Sequence, residues 1–218
     1  MEPFMRLGML TAILAIAAAP LPAAAQSVEE AESAEFAWQG KAYSLAIPEG
    51  FCLPGKEYQA MSKQMAAGDS QNETVLHLRN CEEPSGHYIL IKTPRAVPAM
   101  NLPKSTFIRL IAEQLNGDAV EEGKQVGARD VETMSDGKLK VDGRNYGYAG
   151  YDEDCAYMSG TLDVAAGQQM ATTFAGSCIT LVGTASFAVH THDYRPDGES
   201  VDALRARSRG VANAISPQ

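Results

Sequence analysis

The stretch CAYMSGTLDVAAGQQMATTFAGSC, residues 155–178, begins and ends in cysteine and holds a small, turn-like run, Ala165-Ala166-Gly167-Gln168, at its middle. In an antiparallel hairpin the numbers of opposed residues have a constant sum. If Cys155 opposes Cys178, the midpoint falls between Ala166 and Gly167, inside that run. The same register sets Thr161 opposite Thr172 and Ser159 opposite Phe174. It places Met158, Leu162, Val164, Ala171 and Ala175 on one face. Tyr157, Met170 and Phe174 share the other face with both cysteines. Two apolar-leaning faces suit strands covered on both sides. Opposed Cβ atoms at about 4.5–5.5 Å are near disulfide reach. The expectation is a hairpin stapled by Cys155–Cys178. By elimination Cys52 then pairs with Cys81, which closes a strand able to lie beside the segment after Ile47. Chain-entropy reckoning gives each staple about 3–4 kcal/mol, less any strain.

The four cysteines make an even set with no CxxC spacing. Structural zinc sites usually show closely spaced ligand pairs, and redox dithiols carry CxxC, so the pattern points to disulfides in an exported chain. The amino end agrees. Arg6 is followed by an apolar run from Leu7 to Ala19 and by Ala23-Ala24-Ala25 before Gln26. That is the form of a signal peptide over residues 1–25, with an apolar run too short to span a bilayer. Residues 26–35, QSVEEAESAE, are acidic and poor in large apolar groups, which reads as a flexible leader. Residues 36–218 are then one α+β domain. The expected protein is periplasmic or secreted, soluble, and without a membrane anchor in its mature form. A net charge of −9 argues against nucleic acid and anionic membrane surfaces as partners.

Along the chain, order is expected from Phe36. Phe36 and Trp38, Gln39-Gly40, then Tyr43, Leu45 and Ile47 at alternate positions read as a hairpin ended by Pro48. KEYQAMSKQMAAG reads as a helix with Tyr58, Met61 and Met65 on one stripe and Gly68 as its stop. ETVLHLRNC and GHYILIKT read as strands. Ser105 is placed to cap a helix to about Leu115, with Phe107, Ile108, Ile111 and Leu115 inward. Residues 117–136 are polar and glycine-containing, and read as a long excursion. Lys138–Val141, Asp142-Gly143 and Arg144–Tyr151 read as a second hairpin. A final helix from Ser200 carries Val201, Leu204, Ser208, Val211 and Ile215 inward, with Arg205, Arg207 and Arg209 on a solvated face.

This order predicts a twisted antiparallel sheet covered by helices in one compact domain. AYSLAIPEGF, residues 42–51, followed by a helix, and the terminal helix after the last strands resemble the Mog1/PsbP-like α/β/α sandwich family. The resemblance implies the fold alone. Members differ in function, so no activity or site residue is carried over.

AVHTHDY, residues 188–194, is the most chemical stretch. On a strand His190 and His192 share a face, toward solvent or a groove, while Phe187 and Val189 take the core side. Two imidazoles can share a metal but need a third ligand, and nothing in the spacing selects His77, His87, Asp193 or Asp197 for that role. The expectation is an exposed, unmetallated pair with no cofactor. YDEDCAY, residues 151–157, crowds Asp152, Glu153 and Asp154 without the alternating ligands and glycine of a calcium loop, and reads as a solvated turn. Tyr146 and Tyr148 share a face that Tyr151 does not. The chain has no GxSxG, HExxH, phosphate-cradling or dinucleotide motif.

Two functions follow as expectations. The first is a noncatalytic binding, accessory or inhibitor-type module whose partner is an envelope protein or a small ligand. The second is a metal-assisted or acid–base hydrolase using the His190/His192 region. The exported form is expected to start at Gln26. The intact mass of exported material checks this, and a mass that includes residues 1–25 would refute it.

Overall fold

The computed structural model describes residues 32–83, 86–195 and 198–218. The expected signal peptide, most of the leader, and Asp197 lie outside the described residues. Strand β1 (Ser33–Trp38) pairs with β2 (Lys41–Ala46) across Gln39-Gly40, both at positive φ. This strand starts three residues ahead of the expected Phe36, because Ser33 to Glu35 extend the ladder and Ala34 is buried in the core. Next come β3 (Phe51–Cys52), α1 (Lys56–Gly68), β4 (Asn72–Asn80) and β5 (His87–Pro94). Then follow α2 (Lys104–Leu115), α3 (Ala119–Met134), β6 (Leu139–Asp142) and β7 (Tyr146–Tyr151). Strands β8 (Ala156–Ala166), β9 (Gln169–Val182) and β10 (Ala185–Asp193) precede α4 (Val201–Ala214) and β11 (Ile215–Pro217).

The result is a mixed α+β fold, more strand than helix, built on antiparallel pairings. A three-stranded sheet has the order β1-β2-β11. An eight-stranded sheet has the order β3-β4-β5-β10-β9-β8-β6, with β7 also against β8. Helices alone do not cover the large sheet. On one face Leu78, Ile89, Ile91, Phe187 and Val189 pack with Trp38, Tyr43 and Leu45 of the small sheet and with Val211 and Ala212 of α4. Phe187 is the hub, with the rings of Phe36 and Tyr43 meeting it edge-on at 5.7 and 5.0 Å. On the opposite face α2 buries Phe107, Ile108 and Ala112 against Ala156 and Leu181.

Helix α4 lies directly on β9. A Cβ added to Gly176 would stand 2.5 Å from the Arg205 backbone nitrogen, so only glycine allows this approach. The Thr191 hydroxyl, fully buried, sits 2.8 Å from the Leu204 carbonyl and 3.0 Å from that of Gly176, tying helix to strand. Ser200 caps α4 by accepting from the Ala203 N–H at 3.2 Å, as its position in the sequence suggests. Helix α2 differs: it starts at Lys104, and Ser105 makes no cap, because the cap position falls on Pro103, two residues earlier.

Both staples are present, Cys52–Cys81 and Cys155–Cys178, with Cα atoms 5.3 and 5.2 Å apart. The hairpin register is different from the expected one. Cys178 opposes Tyr157, Thr161 opposes Phe174, and Asp163 opposes Thr172. Cys155 sits just ahead of β8 and reaches Cys178 diagonally. The turn moves because Gly167, at φ +63°, takes the first position of a two-residue Gly-Gln loop closed by Ala166 and Gln169. A shift of two residues across the pair keeps every side chain on its expected face.

Two further expectations fail. Residues 117–136 are not a loop but mostly α3. Asp142-Gly143 is not a hairpin turn, since β6 and β7 run end to end along β8 and do not pair with each other. The Asp142 carboxylate accepts from the Arg144 N–H at 3.0 Å and its guanidinium at 2.6 Å, which bends the chain without reversing it.

Gly176→Val is expected to lower stability by about 3 kcal/mol through helix–strand overlap. Gly210→Ala, exposed in the middle of α4 with open space around its Cβ, is expected to raise it by about 1 kcal/mol. Chemical denaturation of the two variants checks the contrast. Nonreducing peptide mapping checks the staples, which a peptide joining Cys52 or Cys81 to Cys155 or Cys178 would contradict.

Candidate functional site

Helix α3 leaves a cleft of about 430 Å³ between itself and the large sheet. Val120, Gly123, Gly127, Val131 and Met134 recur at three- and four-residue spacing and line the cleft from above. None of the described residues of α3 is buried. A glycine inside a helix costs about 1 kcal/mol relative to alanine, so two in one stripe are an expense that packing does not explain. What they leave is room: a Cβ at either Gly123 or Gly127 would meet no atom within 4 Å. Polar contacts from inner positions of the helix tie it to its neighbours. Asp130 accepts from the Ser70 N–H at 2.9 Å and hydroxyl at 2.8 Å, and the Lys124 ammonium reaches the Gly143 carbonyl at 3.4 Å.

The floor comes from strands. Leu90 and Lys92 on β5, His190 and His192 on β10, Tyr146 on β7, and Met158 and Leu162 on β8 face the cleft. Cross-strand register stacks them, with His190 between Leu90 and Ser177 and Ser177 opposite Met158. The Ser177 hydroxyl is fully buried and lies 2.6 Å from His190 Nδ1 and 2.5 Å from the Tyr146 hydroxyl. At the rim Lys92 and Asp69 pair at 2.7 Å, with side chains 20% and 15% exposed.

The histidine pair is half-buried under α3, not exposed as expected. The strand alternation holds, but α3, in a segment expected to be a loop, covers the pair. Burial, with Lys92 adding to it and Asp69 opposing, pushes the His190 imidazole down to about 3. Burial and the charges of its neighbours, His190 first, push His192 well below its ordinary value. Both are neutral at neutral pH. Burial raises the Tyr146 hydroxyl to about 12, against a smaller lowering by its bond to Ser177. His192 lies flat against Tyr88, with ring centroids 4.8 Å apart, and its Nδ1 is buried with no partner among the described residues.

The other candidate ligands go elsewhere. His77 is buried against the Ser62 hydroxyl at 2.7 Å, and burial, then Arg79, lowers it to about 4. His87 faces the opposite side of the sheet, edge-on to Phe51. Asp193, fully buried, accepts from the Arg195 backbone, the Arg195 guanidinium and the Glu199 N–H. Burial would raise that carboxyl, but these donors outweigh it and hold it at about 2. Among the described residues no three His, Cys, Asp or Glu side chains converge as a metal site. No family model matches the chain, and no curated protein does either.

The arginines of α4 are not merely solvated. Arg209 pairs with Asp154 at 2.6 Å, and Asp152 accepts from the Tyr157 hydroxyl at 2.6 Å, which accounts for the acidic turn. Arg207 pairs with Glu199 and lies 5.4 Å over the Phe51 ring. Ser177, Tyr146 and the face of α3 were missed in the sequence. The one available signal was the placing of Val120, Gly123, Gly127 and Val131 on one helical stripe.

His77 and His190 have folded-state values below the unfolded value of about 6.5. Their stabilising effect is complete above about 6.5 and declines as the pH falls toward the folded values. Each should cost about 2 kcal/mol by pH 5. The depressed Asp193 contributes above its unfolded value of about 3.9 and is lost only toward 2, outside that window. Denaturation midpoints at pH 7 and pH 5 test this. His77→Gln should shrink the difference, and pH-independent stability would refute it.

Proposed function

We propose that this is an exported binding module that takes a small, largely apolar ligand in the cleft under α3. The observation that carries the reading is a helix with no buried side chain among its described residues lying over a sheet, with glycines where apolar side chains would otherwise fill the gap. A cleft of about 430 Å³ lies within the range of small-ligand sites, as does a mainly apolar lining with a few convergent polar groups. Its charged lining residues are already engaged: Lys92 with Asp69, Lys124 with Glu121 at 2.9 Å, and Asp130 with Ser70. Residues 32–218 act as one domain in this reading, with the large sheet as its frame.

Export is supported by the two disulfides, which suit an oxidising compartment, and by the signal-like amino end. Among the described residues no helix is long and apolar enough to cross a membrane. The periplasm or the extracellular space is therefore the proposed location. The hydrolase reading has one specific observation in its favour, the Ser177–His190 hydrogen bond. It is the weaker reading, because Ser177 is fully buried and a nucleophile has to meet its substrate.

Gly123→Leu tests the binding reading. The leucine would enter the cleft and improve helix propensity, so the variant should fold at least as well as the parent. Binding of an apolar fluorescent dye should fall by about tenfold or more. Undiminished dye binding in a folded Gly123→Leu protein would place any ligand elsewhere.

A further inference from the structure

We infer that the cleft selects an uncharged ligand whose apolar body lies under Gly123 and Gly127 and whose oxygen acceptor, a carbonyl, ester or ether, takes a hydrogen bond from His190 Nε2. This rests on the binding reading above and names the chemistry of that same site. The selection comes from a three-membered chain of hydrogen bonds.

Tyr146, Ser177 and His190 form a line, with 2.5 Å between the first two groups and 2.6 Å between the last two. Either sense of donation is possible at each link, but only one satisfies the whole line. If the Tyr146 O–H donates to Ser177, the Ser177 O–H is free to donate to His190 Nδ1. The imidazole proton then resides on Nε2, because a ring nitrogen that accepts cannot also carry the proton of the neutral form. In the opposite sense His190 Nδ1–H donates to Ser177 and Ser177 to Tyr146. The phenol proton then has no acceptor among the described residues, a loss of one bond in a half-buried position. The first sense leaves over only the Nε2–H, whereas the second leaves both the phenol proton and the Nε2 lone pair unpaired, so the first prevails. It presents the His190 Nε2–H to the cleft, since among the described residues His190 is bonded only through Nδ1.

Charge excludes the alternatives. The ionised groups on the lining are Asp69, Lys92, Lys124 and Asp130, two of each sign. Asp69 and Lys92 neutralise one another, Lys124 is held by Glu121, and Asp130 is held by Ser70. A carboxylate head would find both lining ammonium groups already paired, and an ammonium head would have to displace the Ser70 donors that hold Asp130; a neutral acceptor meets neither cost. A hydrocarbon with no acceptor would fit the apolar part but leave the Nε2–H unpaired.

Displacement of a bound apolar dye by methyl decanoate, undecane, decanoate and decylamine tests this. The ester should bind most tightly, with an advantage over undecane of roughly threefold to tenfold, the net worth of one neutral hydrogen bond. In His190→Phe that ratio should fall to near one. Decanoate or decylamine binding as well as the ester, or a ratio unchanged in His190→Phe, would overturn the inference and leave the binding reading intact. Failure of all four to displace the dye would overturn both. Nitrogen NMR of the wild-type histidines is a second measurement that does not depend on a variant folding. It should show neutral His190 with its proton on Nε2, and methyl decanoate should shift that resonance. A proton on Nδ1 would overturn the inference.

Discussion

Helix α4 rests on β9 at Gly176, where its backbone approaches closely enough that no other residue would fit. The neighbouring positions depend on that contact. Ser177 points to the opposite face and enters the hydrogen-bonded line to His190, while Cys178 returns to the α4 side and is bonded to Cys155. Three consecutive residues thus seat a helix, build the cleft floor and staple the hairpin. They can do so because side chains alternate along a strand and β9 is paired on both sides, by β8 and β10. A slip of one residue would send Ser177 into the apolar core and Gly176 into the cleft.

The two faces of the large sheet are treated differently. The face toward α4 and the small sheet is filled by large side chains around Phe187, and close packing of this sort leaves little room for a guest. The other face is filled only under α2. Under α3 it is left open by glycine and half-exposed valines. Polar groups that would be costly in the filled core are tolerated here because they satisfy one another. The Lys92–Asp69 pair and the Tyr146–Ser177–His190 line are the main cases. Neutral imidazoles follow from the same burial. They make the cleft a place of hydrogen bonding without net charge, on a protein whose formal charge is otherwise −9.

The disulfides brace the ends of this arrangement. Cys52–Cys81 ties β3 to the end of β4 at one edge, and Cys155–Cys178 ties the entry of β8 to β9 near α4. Neither touches the cleft lining.

The sequence by itself determined what short-range physics can determine. Alternation placed Phe187 and Val189 in the core and His190 and His192 on the other face. The spacing of Cys155 and Cys178 about a glycine-bearing turn selected one disulfide, in a register two residues off, and elimination selected Cys52–Cys81. The cap at Ser200 and the apolar stripe behind it marked α4. Only the tertiary structure decided the rest. Helix α3 was illegible because its stripe is interrupted by Gly123 and Gly127, and the feature that makes the cleft is the same one that weakens the helical signal. Asp142-Gly143 carried the local chemistry of a hairpin turn, but β8 is long enough to pair with both flanking segments, and that pairing prevailed over turn preference. The partners of His190 lie 13 and 44 positions away by number, at Ser177 and Tyr146, and meet only through strand register. Local pattern reports which way a side chain faces. What it faces depends on contacts between distant segments, which come into being only when the sheet closes.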